Sequence, residues 1–388
     1  MPNQVAPNVL SWATDIEQNT IDQAANTAKM PFLTGHLSLM PDAHLGMGST
    51  VGSVFATQGA VIPSCIGVDI GCGMLAAKFN LTAEDLPDDL DPLLSRIGQY
   101  VPAGVNQGNK TALAAASSFL VDAGTPELMD TNKGITKILH QYGSLGSGNH
   151  FVELCLDEND DVWVVLHSGS RGAGNILAKK HIDIAKGLMK RYFIDLPDPD
   201  LAYVVQGTPE FDNYIKDMLW AQSYAKENRG AMFTSVWKAI QETITPSAYA
   251  TEIINCHHNF TQMESINDKN VWVTRKGAIQ ARVGDLGIIP GSMGTETFIV
   301  EGKGNPSAYN SCSHGAGRRM GRKEAKRQFS KEDLEKAMEG KTWNSDHADK
   351  LVDEIPSSYK DINEVMAAQK DLVSIKHTLK QILNFKGI

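Results

Sequence analysis

The side chains able to do chemistry in this chain stand in a few short, unusual settings. "GVDIGCG" holds Asp69 and Cys72 in a glycine-flanked loop, where backbone can come close to an ion or a ligand. A carboxylate and a thiolate side by side suit a divalent cation, and the sulfur is able to bridge two. "GSGNHFVEL" places Asn149 and His150 at the start of a strand, with Glu153 expected on the face away from His150. "VVLHSGSRG" ends a hydrophobic strand on His167 and runs into a glycine–serine loop with Arg171, and "NCHHNF" offers His257 and His258 beside Asn259. Histidine is the commonest metal ligand, and strand ends hold such groups rigidly. One Asp, one Cys and three His make five ligands, too many for one tetrahedral ion and sufficient for two that share the thiolate. Singly, each stretch also reads as an ordinary turn, a small buried cysteine or a structural histidine.

A second signal lies further along. Pro290, Gly291, Ser292, Met293, Gly294 and Thr295 form a loop whose backbone amides suit an anion or a purine edge. It has neither the Walker lysine pattern nor a Rossmann fingerprint, so alone it reads sooner as an ordinary turn. His314 follows, then Gly315, Ala316 and Gly317, then six basic residues (Arg318, Arg319, Arg322, Lys323, Lys326, Arg327) with Glu324 the only acid among them. Such a run is commonly a solvated helix face. A helix beginning at the glycines would instead present free amides to a phosphate, and with the basic side chains and His314 would make a phosphoryl-transfer site.

These groups need a core to hold them, and 388 residues are enough for one large domain or two ordinary ones. With 42% hydrophobic and 21% charged residues the chain has the composition of a folded protein rather than a disordered one. A net charge of −9 excludes a protein that grips long duplexes by counterion release, so nucleic-acid contact is expected only locally, from the basic run and Lys110, Lys133 and Lys276. Five cysteines, odd in number and without a close pair, argue against a disulfide framework and for a reducing compartment. The first residues show no signal-peptide pattern, and no apolar run approaches the roughly 18 residues of a membrane span. The expectation is a cytoplasmic enzyme with no membrane partner.

Apolar spacing predicts helices over residues 14–30 and 83–100, a largely helical block over 175–245, and closing helices over 331–338, 362–368 and 372–383. Strands are expected as a hairpin across "FVELCL" and "DVWVVLH" and over 271–274, 278–282 and 298–300. The fold class is therefore α/β (α+β): a single large mixed-sheet domain over 1–388, with the 175–245 block as a helical insertion.

In order along the chain, "MPDAHLGMGSTVGSV", "GVDIGCGM", "GSGNHFVEL", "LHSGSRG", "NCHHNF", "VTRKGA", "IIPGSMG", "CSHGAGRRM" and "LKQILNFKGI" resemble the RtcB-type RNA ligases, and their bacterial branch most closely. The resemblance implies an RtcB-like fold and a GTP-dependent enzyme that joins RNA 2′,3′-cyclic phosphate or 3′-phosphate ends to 5′-hydroxyl ends, in RNA repair or tRNA splicing. It implies two Mn²⁺ ions, one on Asp69, Cys72 and His150, the other on Cys72, His167 and His258. His314 resembles the histidine that becomes guanylylated. Asn149 and Asn259 lie, by the same likeness, near metals and phosphates. Pro290–Gly294 and Gly315–Gly317 hold the guanylate, Lys386 contacts the guanine, and Arg171, Arg318 and Arg319 bind RNA or phosphate. An accessory activator protein belongs among the partners the resemblance admits. The segment 102–134 is compact beside the longer inserts common in the family. The competing reading is a dinuclear-metal cyclic phosphodiesterase, which needs no guanylylated histidine.

Overall fold

The computed structural model describes residues 2–387, and two curved sheets organise it. The first runs in the order Asn3–Ala6, Val9–Ser11, Leu33–His44, Val51–Thr57, Lys269–Lys276, Asn259–Ile266. The second runs Ala250–His257, Gly73–Thr82, Asp161–Ser168, Phe151–Leu156, Val373–Lys386, Thr297–Gly302, Leu286–Pro290, with Thr342–Trp343 pairing in parallel beside Val373–Lys386. Its two ends curl towards each other, so that the Ile288 backbone meets the Cys256 sulfur.

The two faces of the second sheet are sorted by the period of two along each strand. Val162, Val164 and Leu166 face one way and pack with Phe79, Leu383 and the long helix Pro209–Thr243 through Met232, Val236 and Ile240. Trp163 and Val165 face the concave side with Met74, Ala76, Cys155 and Leu379. His167 is the next residue of that inward series, and Cys72 precedes Met74 on the same face. The hydrophobic alternation that builds the core therefore aims both residues into one concavity.

The helical block expected over 175–245 consists of Arg171–Arg191 and Pro209–Thr243, joined through Pro199–Leu201 and Val204–Val205. It lies between two strands of the same sheet and shares its core. The hairpin Phe151–Leu156 and Asp161–Ser168 forms as expected, in antiparallel register from Leu156↔Val162 to Phe151↔His167. Three expectations fail for physical reasons. The helix over 83–100 breaks into a 3₁₀ turn, Ala83–Asp85, and a helix, Asp91–Tyr100, because Pro87 forces Leu86 into an extended conformation (ψ 141). The helix over 372–383 is the strand Val373–Lys386, clamped between Phe151–Leu156 and Thr297–Gly302. A register shift between Gln381 and Leu383 interrupts its alternation, leaving apolar residues at helix-like spacing. Finally, the helix after His314 starts at Arg322, not at the glycines, and spans only Arg322–Gln328.

Candidate active site

Strand register brings the candidate ligands together. Gly73 is opposite Ser168, and Met74 opposite His167, so the loop ending in Cys72 emerges beside His167. On the other side His257 is opposite Gly73, and the His258 amide donates to Cys72 O at 2.8 Å. His258 is the one residue between Ala250–His257 of the second sheet and Asn259–Ile266 of the first, at the seam of the two. His257 turns away from the cluster. His150 immediately precedes Phe151, whose register partner is His167.

The resulting distances are those of ligands converging on a common centre. Cys72 Sγ lies 3.4 Å from His150 Nε2 and 3.3 Å from His167 Nε2, and His150 Nε2 lies 3.2 Å from Asp69 Oδ2. His167 Nε2 and His258 Nε2 face each other at 2.9 Å. His167 Nδ1 is 3.1 Å from Asn149 O, and since a carbonyl only accepts, that nitrogen carries the proton and Nε2 keeps its lone pair. Burial holds both His167 and His258 well below the usual imidazole range, so both are neutral donors of electron pairs. Two overlapping groups, Asp69–Cys72–His150 and Cys72–His167–His258, each have ligand atoms within 4.8 Å of one another. Burial and the Asp69 charge push the Cys72 thiol well up, a setting in which a thiolate requires a cation beside it. Opposed imidazole lone pairs around a sulfur and a carboxylate are a donor set that fits two divalent ions.

His314 stands against this cluster, its ring 4.6 Å centre to centre from that of His258. The placement follows from Ala278–Gln280, which pairs with Ser311–Ser313, the strand leading into His314, while the Ala278 amide donates to His258 O. His314 Nδ1 lies 2.7 Å from Oδ2 of the buried Asp42, and the His314 amide donates to the same oxygen at 3.2 Å. A carboxylate only accepts, so Nδ1 is protonated and Nε2 keeps its lone pair. Gly317 is locked beside Asp42 with φ +75, where a Cβ would strike the Asp42 carbonyl.

One cavity of about 380 Å³ contains this arrangement. It is lined by all five candidate ligands and His314, by Asn149 and Asn259, by Pro290, Gly291, Ser292 and Met293, by Gly315, Ala316 and Gly317, and by Arg318 and Lys386. Gly294, Arg171 and Arg319 do not line it. Arg171 directs its guanidinium to Ser144 Oγ, Gly104 O and Gln107 O, and Arg319 opens into a neighbouring cleft with Lys360. In the loop from Pro290 four of the five amides that follow it are already engaged: Gly291 donates to Glu296 O, Ser292 to Thr295 Oγ1, Gly294 to Gln381 Oε1 and Thr295 to Ser292 O. Asn259 bridges two segments, donating to Asp69 O and accepting from the Gly277 amide.

Several functional groups escaped sequence reasoning. Asp42 is one. Glu153 is another: it lines the same cavity as His150 rather than facing away, because His150 lies in the turn before the strand while Phe151 and Glu153 share its inward face. Burial pushes the Glu153 carboxyl well up, and its Oε2 has no partner among the described residues. Glu354 is the third. It gathers Lys386 Nζ at 2.8 Å, Tyr359 Oη at 2.7 Å, Arg318 Nη1 at 3.6 Å and Arg322 Nη1. Burial alone would raise this carboxyl, but Lys386 and Arg322 hold it at about 2. Lys276, expected to grip RNA, is buried instead and donates to Met47 O, Ser49 O and Ser64 O, with burial lowering it to about 8. Lys110 and Lys133 are exposed. None of these pairings is marked by local spacing; the "MPDAH" stretch stood among the quoted blocks without pointing to its aspartate.

Such a site suits metal-assisted phosphoryl transfer, and known proteins narrow the class. The family model described as "tRNA-splicing ligase RtcB" matches residues 23–387. The chain is 46% identical to the RNA-splicing ligase RtcB of Escherichia coli K12, over 96% of this chain and 95% of that protein. It is 30% identical to the tRNA-splicing ligase RtcB of Nanoarchaeum equitans, over 92% and 88%. It is also 30% identical to the RNA-splicing ligase RtcB of Mycobacterium tuberculosis, over 89% and 95%. The chain belongs to the RtcB family. No helix among the described residues is long and apolar enough to cross a membrane.

Proposed function

We propose that this chain seals RNA ends through a guanylylated histidine. Membership of the RtcB family makes it an RNA ligase of RNA repair and tRNA splicing. The observation that carries the finer reading is the Asp42–His314 pair opening into the cavity that holds both ligand triads.

Asp42 fixes the tautomer, so His314 Nε2 attacks the α-phosphorus of GTP. The bond to the bridging oxygen breaks and pyrophosphate leaves. Asp42 offsets the positive charge that grows on the ring. Water opens the RNA 2′,3′-cyclic phosphate to a 3′-phosphate, an oxygen of which displaces His314 from the guanylyl phosphorus. The 5′-hydroxyl of the second RNA then attacks the activated 3′-phosphate and expels GMP. Asp69, Cys72 and His150 would hold one Mn²⁺, and Cys72, His167 and His258 the other. Bound there, such ions orient phosphates and offset charge on their oxygens. Softness of the thiolate alone would favour zinc; manganese follows from the family likeness.

The far end of the cavity suits guanine. Its N1–H and N2–H need an acceptor, which the unpartnered Glu153 Oε2 supplies as the carboxylate that these two donors stabilise against its burial, and its O6 needs a donor. Lys386 has three N–H groups, two of them directed to Glu354 and Gly148 O, which leaves one for O6.

The test is ligation of an RNA ending in a 2′,3′-cyclic phosphate to one with a 5′-hydroxyl, with Mn²⁺, in the presence and absence of GTP. Joined product should require GTP. Cyclic-phosphate opening at full rate without GTP, and no joined product with it, would make the chain a phosphodiesterase instead.

A further inference from the structure

Behind the two triads lies a charged side chain that the reaction above does not use. Arg229, in the middle of Pro209–Thr243, is completely buried and does not line the cavity. A guanidinium withdrawn from water is costly unless its donors are met, and three separate segments meet them. Nη1 donates to Gly71 O at 3.0 Å and to Ser168 O at 3.0 Å. Nε donates to Asn255 Oδ1 at 2.9 Å, while His257 Nδ1, 3.2 Å from Nη2, faces Gly71 O at 2.9 Å and so carries a proton of its own.

Each of the three acceptors belongs to a ligand-bearing segment. Gly71 precedes Cys72, Ser168 follows His167, and Asn255 lies on the strand that leads into His258. All three members of Cys72–His167–His258 are thus tied, through their own segments, to a single planar fork on a rigid helix. The other triad shares with it only the segment of Gly71, which carries Asp69 and Cys72: Asp69 Oδ1 accepts from the Ser170 amide, and none of the Arg229 bonds reaches the segment of His150.

We infer that Arg229 is the positioning residue of the Cys72–His167–His258 metal site, holding its three ligand segments in register from behind. The inference rests on the dinuclear reading above. Lysine cannot replace it, because a single ammonium on a flexible stem does not span three segments in one plane. Loss of the fork therefore loosens this site, tied at all three of its segments, more than Asp69–Cys72–His150, tied at one.

Co²⁺ titrations on single-site backgrounds test this, with the thiolate-to-cobalt charge-transfer absorption reporting the Cys72 bond. His150→Ala keeps only the Cys72–His167–His258 triad, and adding Arg229→Lys to it should lower Co²⁺ affinity roughly tenfold or more and weaken the absorption. Adding Arg229→Lys to His258→Ala, which keeps only the other triad, should weaken affinity and absorption far less, since only the segment of Gly71 is released there. Equal weakening in both backgrounds, or none in either, overturns the assignment, since a support of the fold alone would not discriminate between them. Should Arg229→Lys not fold, Asn255→Ala removes one bond of the fork, and the same selective loss is expected. Its absence there overturns the assignment equally. Fewer than two ions on the wild-type chain would instead refute the dinuclear reading itself.

Discussion

His314 and Asp42 stand 272 residues apart in the chain and 2.7 Å apart in space. The pair assigns the proton to one ring nitrogen and the nucleophilic lone pair to the other. Asp42→Asn keeps the shape but can present an N–H to the ring and stabilise the wrong tautomer. Guanylylation should fall on the order of 10²- to 10⁴-fold, with metal content and melting temperature near wild type; single-turnover labelling measures the first, and an unchanged rate would remove Asp42 from the chemistry. Residue-level burial also sets a pH dependence. His44 and His257 are both lowered to about 4 from an ordinary 6.5, chiefly by burial, with the Arg229 charge adding to the effect on His257. Below pH 6.5 the unfolded chain takes up protons that the folded chain refuses. Stability of the metal-free protein therefore falls as pH drops from 6.5 towards 4, by up to about 1.4 kcal/mol per pH unit per group. His167 and His258 act in the same direction, and only the raised Glu153 opposes them, gaining stability as pH falls towards the ordinary carboxylate range. Urea unfolding at pH 7 and pH 5 checks the sign. At this scale the candidate ligands and His314, which the structure gathers in one cavity, were legible because each sits in a marked local setting. Asp42, Glu153 and Glu354 were not, because their partners lie far away in the chain, and the burial of Lys276 is a property of three distant carbonyls, not of its own sequence neighbours.

Among the elements, the hairpin and the long helices were readable from period alone, since their apolar faces are regular over many residues. Val373–Lys386 was not. Its register shifts against both neighbours disrupt the alternation, and only pairing on both sides makes it a strand. Pairing leaves no room at Gly73, where Gly73–Thr82 passes the backbone of Cys256 and His257 so closely that a Cβ would run into the Cys256 carbonyl. Gly73→Ala should push Ala250–His257 away, at a cost of about 1–3 kcal/mol in denaturant unfolding, and should weaken metal binding by separating His258 from Cys72. A variant with wild-type metal affinity would show that the strand spacing does not set the ligand geometry. The block expected to begin a helix at Gly315 begins one only at Arg322, because Gly315–Gly317 are held against Pro290 and Asp42 as part of the cavity wall.

For the whole molecule, a charge of −9 and the fate of the basic run together limit how RNA is held. Arg318 and Arg322 are neutralised by Glu354 and Asp353, and Lys326 also pairs with Asp353. Few cations remain for phosphates, so log affinity for single-stranded RNA ends should fall with log salt at a slope of about −2, as for three contacts. A slope of about −7 or steeper, as for ten contacts, would mean that a far larger surface engages RNA. The fold class was visible in the sequence; the curling of one sheet so that five ligands and His314 share a cavity was not, since that depends on register across strands distant in the chain. His314 as carrier of the guanylyl group is open to a direct chemical test. Incubation with Mn²⁺ and GTP labelled at the α-phosphate, followed by denaturation and peptide mapping, tests it directly. Acid-labile label should map to His314 and vanish in His314→Ala; label that persists in that variant would contradict the account.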